Sequence, residues 1–433
     1  MPEISKKIVG QVTIPQIKFS EIQKEIQNIA DLREKIEVSL KKNITEVLEI
    51  LFGGAIILNS SDLHIEPLEE KAKIRCRIDG VLQDVLLIEK KIYENLLSRI
   101  KLLSGLKLNI NDRPQDGRFS ILFERLTIEI RASSLPAEYG ESIVLRILNP
   151  ENLIDLEELG LREDLLAIFK REIKKPNGMI IVTGPTGSGK TTTLYAFLKK
   201  IKNPEIKIIT LEDPIEYHLE GISQTQVDPK KGYDFANGLR AILRQDPDVI
   251  LVGEIRDLET ASIALQAALT GHLVFTTLHT NDAAGTIARL VALGEKPVNI
   301  APAINMAVAQ RLVRKVCKKC LKLEKPSLEE LRKIKKELSS LKIKIPKITA
   351  TTKIPKAVGC QYCNFTGYRG RIGVYEAFLV DEEMEKFILT SPSITALNEK
   401  AIEKGMVTMK QDGLIKVLER ITTLKEVERV VGE

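Results

Sequence analysis

The sequence predicts an α/β protein: a mostly parallel sheet with helices on both faces, preceded by a smaller α/β sandwich. Three observations carry that expectation. Apolar runs at 179–182, 207–211, 249–252 and 273–277 alternate with helical patterns at 190–201, 235–244, 258–269 and 282–293. That rhythm belongs to a parallel sheet covered on both sides. Upstream, short runs of period-two alternation replace it, and 433 residues exceed what one hydrophobic core usually holds.

Taken in order, residues 1–43 are rich in Lys, Glu, Ile and Gln and read as an N-terminal arm with one helix over 20–41. A second helix runs from Asn43 to about Asn59, with Thr45 as its candidate cap. Strands at 62–66, 73–78, 81–88, 118–123, 126–132 and 142–147, with a helix at 91–104, make a small domain at 44–148. A polar, Pro-bearing connector fills 149–160. The parallel-sheet core is expected at 161–314, a cysteine-bearing segment at 315–366 and a helical region at 367–433. No internal repeat is visible.

Composition narrows the class. With 43% hydrophobic and 29% charged residues the chain is globular, and a formal charge of +6 is small for its length. Nothing there calls for nucleic acid or membrane. Trp is absent and aromatics reach only 4%, which argues against stacking on single-stranded bases. The first twenty residues lack a signal-peptide core, and no apolar run approaches the ~18 residues of a membrane span. A cytosolic placement follows as an expectation, any membrane role coming through a partner. Four of the five cysteines form two C-x-x-C pairs, which does not suit a disulfide scaffold. Cys76, lone in a strand pattern, is expected in the core.

The densest signal is Gly184-Pro185-Thr186-Gly187-Ser188-Gly189-Lys190-Thr191, a G-x-x-x-x-G-K-[ST] loop between an apolar strand and a helix. Small residues let successive N–H groups converge on an anion at a helix N-terminus. Lys190 is expected on the β/γ-phosphates and Thr191 on Mg²⁺, with Thr192 completing the nucleotide-binding set. At the next strand end, Asp248-Val249-Ile250-Leu251-Val252-Gly253-Glu254 puts Glu254 where a water could be oriented toward the γ-phosphate; Gly253 stands where an Asp is usual. Otherwise Glu254 is a solvated strand-end acid. Glu212-Asp213-Pro214-Ile215-Glu216 follows another strand, with Glu212 the candidate for the Mg²⁺-water shell and a plain Asp-Pro turn the alternative. His272 and His279 lie in a strand running into a polar turn; His279 is the candidate γ-phosphate donor and His272 the structural one. Cys317, Cys320, Cys360 and Cys363 offer four thiolates for a structural Zn²⁺, a redox pair or idle thiols being the alternatives.

Together these motifs resemble the secretion ATPases of type II secretion and type IV pilus assembly, the GspE/PilB group. The match also includes Ser61-Asp62-Leu63-His64-Ile65-Glu66-Pro67, Arg75-Cys76-Arg77-Ile78-Asp79-Gly80, Arg113-Pro114-Gln115-Asp116-Gly117-Arg118, Gly140-Glu141-Ser142-Ile143-Val144-Leu145-Arg146 and Ala309-Gln310-Arg311-Leu312-Val313-Arg314-Lys315. It runs from about residue 44 to the C-terminus. The resemblance implies a PAS-like α/β domain hinged to a RecA-like core, a homohexameric ring, and a filament-assembly motor powered by ATP hydrolysis. It also implies docking on a platform protein at the inner face of the cytoplasmic membrane, with no direct nucleic acid. On its pattern, the arginines that reach the nucleotide from the N-terminal domain fall on Arg131 and Arg146, and a planar guanidinium suits a transferring phosphoryl group. About 43 residues precede the matched part, where assembly motors carry a larger docking module. Retraction motors of the superfamily lack the cysteine pairs, so these favour assembly. The competing readings are a DNA-uptake or retraction motor, a nucleic-acid translocating RecA-like motor, and an ATP sensor without turnover.

Overall fold

The computed structural model describes residues 10–41, 43–123, 126–349 and 351–432. The first nine residues of the expected N-terminal arm lie outside them. The chain divides into two compact units, Met1–Asn152 with Val358–Arg369, and Leu153–Ala357 with Gly370–Glu433.

The first unit carries β1 (Gln11–Thr13), α1 (Gln16–Glu25), α2 (Ile29–Ser39), α3 (Ile44–Ile57), β2 (Ser60–Pro67), β3 (Lys71–Ile78), β4 (Val81–Glu89), α4 (Lys90–Ser104), β5 (Gln115–Phe123), β6 (Leu126–Ala137) and β7 (Gly140–Leu148). Its sheet runs β1-β5-β6-β7-β2-β3-β4. All pairings are antiparallel except β1 with β5. Period two does the sorting: Leu63, Ile65, Ile74, Cys76, Ile128, Ile130, Ile143 and Leu145 are buried in one cluster with α3 and α4. Cys76 is in that core as expected, and burial pushes its thiol up to about 12.

Two expectations here need correction. The single helix over 20–41 is two helices, because Ile26 adopts an extended backbone and Asn28 starts a new helix by accepting the Asp31 N–H at 3.0 Å. The cap of α3 is Asn43, which accepts the Glu46 N–H at 2.9 Å, and not Thr45. Helices α1 and α2 pack closely on α3. A Cβ at Gly54 would come within 2.4 Å of the Leu32 side chain, so glycine there sets the approach.

The second unit opens on the connector. Its buried Leu156 and Leu159 join the core, so it is more than a polar tether. Then come α5 (Glu163–Glu172), β8 (Gly178–Thr183), α6 (Lys190–Ile201), β9 (Ile208–Glu212), β10 (Ser223–Gln226), α7 (Phe235–Leu243), β11 (Val249–Val252), α8 (Leu258–Leu269), β12 (Leu273–Leu278), α9 (Gly285–Leu293), α10 (Pro297–Ile300) and β13 (Ile304–Val316). After these lie β14 (Lys322–Glu324), α11 (Leu328–Leu338), β15 (Ile354–Lys356) and β16 (Tyr368–Leu379). Four helices follow: α12 (Glu382–Leu389), α13 (Ile394–Glu403), α14 (Met409–Leu418) and α15 (Leu424–Val431).

The large sheet runs β10-β9-β11-β12-β8-β13-β16 and is parallel from β10 through β13. Every residue of β8, β9, β11 and β12 is buried, the few polar ones such as Thr210, Glu212 and Thr276 included, which explains why these strands read as mainly apolar runs without alternation. Two apolar clusters cover its faces. The expected α/β architecture, with its two sheet-containing parts and a helical C-terminus, is present; β13 and β16 add strands that periodicity did not reveal. Among the described residues no helix is long and apolar enough to cross a membrane.

Candidate functional site

In a parallel sheet all strands present their carboxyl ends to one edge, where ligands bind in α/β folds. That edge collects the expected residues in spatial order. Glu212 ends β9, Glu254 follows β11, His279 follows β12, and the glycine-rich loop follows β8.

The loop's shape depends on its glycines. Gly184, Gly187 and Gly189 have φ of 150°, 80° and 89°, a region L side chains rarely adopt. At Gly184 a Cβ would also sit 2.6 Å from the Gln310 carbonyl. Gly189 ends the loop and Lys190 starts α6. Lys190 is half-buried and its Nζ donates to the Gly184 carbonyl at 2.8 Å. Burial holds its ammonium below the usual lysine range; Glu254 opposes this and the Arg311 guanidinium adds to it.

The loop's own polar atoms show whether it fits a triphosphate. Ser188 is 3% exposed and its Oγ is buried without a hydrogen-bond partner in the chain. An orphaned hydroxyl of this kind costs stability unless a ligand or water satisfies it. The residues present therefore fit a nucleotide phosphate.

Glu254 is brought together with His279: its Oε2 lies 3.3 Å from the imidazole Nε2, and its Oε1 accepts from Arg256. Arg256 carries no signal in the sequence; it lies two residues past Glu254 in an exposed turn, with no pattern of its own. The glycine at 253 has a local reason. Its N–H donates to the Leu211 carbonyl at 2.8 Å, its carbonyl accepts from Thr277 Oγ1 at 2.7 Å, and a Cβ would stand 3.2 Å from that Leu211 oxygen. Three strand ends meet there so tightly that a side chain would need its neighbours to give.

Glu212 is placed differently from the expectation of a solvated Mg²⁺ shell. Its carboxylate is 4% exposed and accepts from Thr210 Oγ1, the Tyr195 hydroxyl and Gln224 Nε2. Burial raises its proton affinity, against the pull of these donors. His272 packs back on its own segment, with Nδ1 3.0 Å from the Ala267 carbonyl.

A residue with no assigned role in the sequence turns out to hold the loop. Gln310, on β13 and 1% exposed, donates from Nε2 to the Ser188 carbonyl at 2.6 Å and accepts the Thr193 hydroxyl at 2.8 Å. One amide thus ties the phosphate loop to α6 and to the adjacent strand.

In the first unit, Arg131 and Arg146 are direct cross-strand partners on β6 and β7. Arg146 Nε lies 3.1 Å from Asp62 and Arg131 Nε 3.8 Å from Glu129. Alternation puts them on the face opposite the apolar cluster, with His64 and the Arg75–Glu66 pair, in which one Nη2 donates to both carboxylate oxygens. Burial, then Arg77, keeps His64 below its ordinary proton affinity.

The four cysteines form one group: their sulfurs all lie within 4.8 Å of one another. Cys363 Sγ accepts N–H bonds from Cys360 at 3.2 Å and Gly367 at 3.3 Å. An all-sulfur donor set of this kind can hold a soft or borderline metal ion. The excursion between the pairs is not loose, since Ile334 and Leu338 of α11 pack against Leu414, Val417 and Val427 of α14 and α15.

Comparison with known proteins agrees with this geometry. A family model described as "Type II/IV secretion system protein" matches residues 37–429. The chain is 44% identical over 391 residues to the type II secretion system ATPase E of Vibrio cholerae, covering 90% of this chain and 76% of that protein. It is 41% identical over 428 residues to the type IV pilus assembly ATPase PilB of Thermus thermophilus, covering 98% of this chain and 47% of that protein. Among solved structures, the pilus retraction motor PilT with bound ADP superposes with a TM-score of 0.58 at 26% identity, over 88% of this chain and 95% of that one. The Legionella pneumophila ATPase DotB shares the fold at a TM-score of 0.63 and 24% identity, over 88% and 94% of the two chains.

Proposed function

Since the chain belongs to the type II/IV secretion system protein family, we propose that it is an ATPase that powers assembly of a type IV pilus or a type II secretion pseudopilus. The observation that carries the reading is the sheet edge itself. A phosphate loop with an orphaned Ser188 hydroxyl stands in one row with a Glu254–His279 pair, inside a chain whose curated relatives are secretion and pilus-assembly ATPases.

In this reading the loop N–H groups and Lys190 bind the β/γ-phosphates, and Thr191 and Thr192 open α6 beside them. Thr191 would hold Mg²⁺, which when bound would supply neutralisation of phosphate charge. Glu254 orients the attacking water and accepts its proton. Its half-buried carboxylate already holds two partners, the Arg256 guanidinium and the His279 imidazole, so His279 is set to steer Glu254 and to meet the γ-phosphate. Glu212 we assign to a supporting role, in which its two engaged oxygens fix β9 to α6 through Tyr195. Arg131 and Arg146 are assigned to the transferring phosphoryl group, a contact of the kind worth ~10³–10⁵ in rate.

Zn²⁺ is our choice for the cysteine group, because tetrahedral S₄ sites with C-x-x-C knuckles favour it. We further propose a homohexamer that works at the cytoplasmic face of the inner membrane against a platform protein there. The test is complementation of a strain lacking this protein. Wild-type chain should restore surface filaments or secretion, and Lys190→Ala should not. Equal restoration by both would reject the reading.

A further inference from the structure

The segment Ala309-Gln310-Arg311 stands out in sequence without an obvious role, and Arg311 is the strongest unexplained group beside the site. It lies on β13, the strand next to β8, in the register that carries it past the start of the phosphate loop. Its Nη1 donates to the Gln310 carbonyl at 3.1 Å and would lie 3.2 Å from a Cβ at Gly184, so the guanidinium touches the loop's first glycine. Its Nη2 donates to the Asn281 carbonyl at 2.8 Å, in the polar turn that carries His279. The group thus bridges the start of the phosphate loop and the His279 turn.

Its charge is also unmatched. None of the ion pairs among the described residues includes Arg311; Glu376 and Asp282 act on it only at longer range. Burial lowers its proton affinity, and it lowers that of Lys190 in turn. Two half-buried cations that act on each other in this way, with Glu254 only partly offsetting it at Lys190, favour an anion between them. A merely structural arginine would be expected to carry a carboxylate partner, as Arg314 does with Glu426 at 2.7 Å.

We propose that Arg311 is a second phosphate-binding cation of the same subunit, contacting the terminal phosphate of ATP at the Lys190 loop and linking its presence to the His279 turn through Asn281. The proposal rests on the ATPase reading above and adds a residue to it. It distinguishes ATP from ADP, because only a triphosphate carries the terminal phosphate assigned to Arg311. Arg311 then differs from Arg131 and Arg146, which belong to the other unit.

The experiment titrates purified chain with ADP and with the non-hydrolysable imido analogue of ATP. Arg311→Gln keeps a donor for the Asn281 carbonyl and removes the charge. It should weaken the analogue by about 10-fold or more, as losing a charge-assisted hydrogen bond does, while ADP stays within about 3-fold. Phosphate release should fall by ~10²-fold. If Arg311→Gln does not fold, Arg311→Lys serves, because its ammonium cannot span phosphate and carbonyl together; there too the analogue should weaken and ADP should not. Unchanged analogue binding in the folded variant overturns the proposal, and so does an equal loss of both nucleotides, which would mean loop support alone. A wild-type chain that binds neither nucleotide would overturn the ATPase reading as well.

Discussion

Replacing Gln310 by alanine isolates how the phosphate loop is held. The amide makes two buried bonds, to the Ser188 carbonyl at 2.6 Å and from the Thr193 hydroxyl at 2.8 Å, from a residue 1% exposed. The substitution takes this partner from both groups, the Thr193 hydroxyl keeping Tyr375, and each buried polar group left unpaired costs about 1–3 kcal/mol. The ceiling is therefore about 6 kcal/mol, divided between the packing of α6 on β13 and the order of the loop. If about 2 kcal/mol falls on the loop, nucleotide affinity drops roughly 30-fold. Isothermal titration with ADP measures that share, and thermal melting without nucleotide measures the rest. Thr193→Val removes only one of the two bonds and should cost less; the double variant should lose less than the sum, since both residues serve one clamp. An affinity for ADP within twofold of wild type, with an unmoved melting temperature, would refute the reasoning.

Three further outcomes follow from the geometry. Glu254→Gln keeps the shape that Arg256 and His279 enclose and removes the base, so nucleotide binding should persist while phosphate release falls ~10²–10⁴-fold in a coupled assay; normal turnover would strip Glu254 of its role. Arg131→Ala and Arg146→Ala should each slow hydrolysis with little change in melting, because both side chains lie on the polar face of the first unit's sheet; rates unchanged in both variants would end that assignment. Elemental analysis should find about one zinc per chain, and Cys360→Ser or Cys363→Ser should lower it and loosen the segment around α11, read by limited proteolysis; a metal-free wild type that resists protease equally would count against a structural ion.

What the sequence made legible was what is local or periodic. The buried strands β8, β9, β11 and β12 are mainly apolar runs, and the residues just past their ends are necessarily neighbours at one sheet edge. Glu254 and His279 could be named for that reason. Gln310 and Arg311 could not, because their position depends on β13 pairing with β8 across more than a hundred residues, and Ala-rich 304–309 shows no clear period. Arg256 is hidden likewise, as an exposed turn residue. Glu212 was legible as a strand-end acid, but not as a buried one, since Tyr195 and Gln224 reach it from other elements. The break between α1 and α2 has no Gly or Pro to mark it; only Asn28 signals it, and a single cap residue inside a helical pattern is easily overridden.

The central claim is that ATP is cleaved at the Lys190 loop. Purified chain given Mg·ATP should release inorganic phosphate, and Lys190→Ala, otherwise folded, should release none above background. Equal release by the two proteins would contradict the account, as would a wild-type chain that releases none even with its membrane platform supplied.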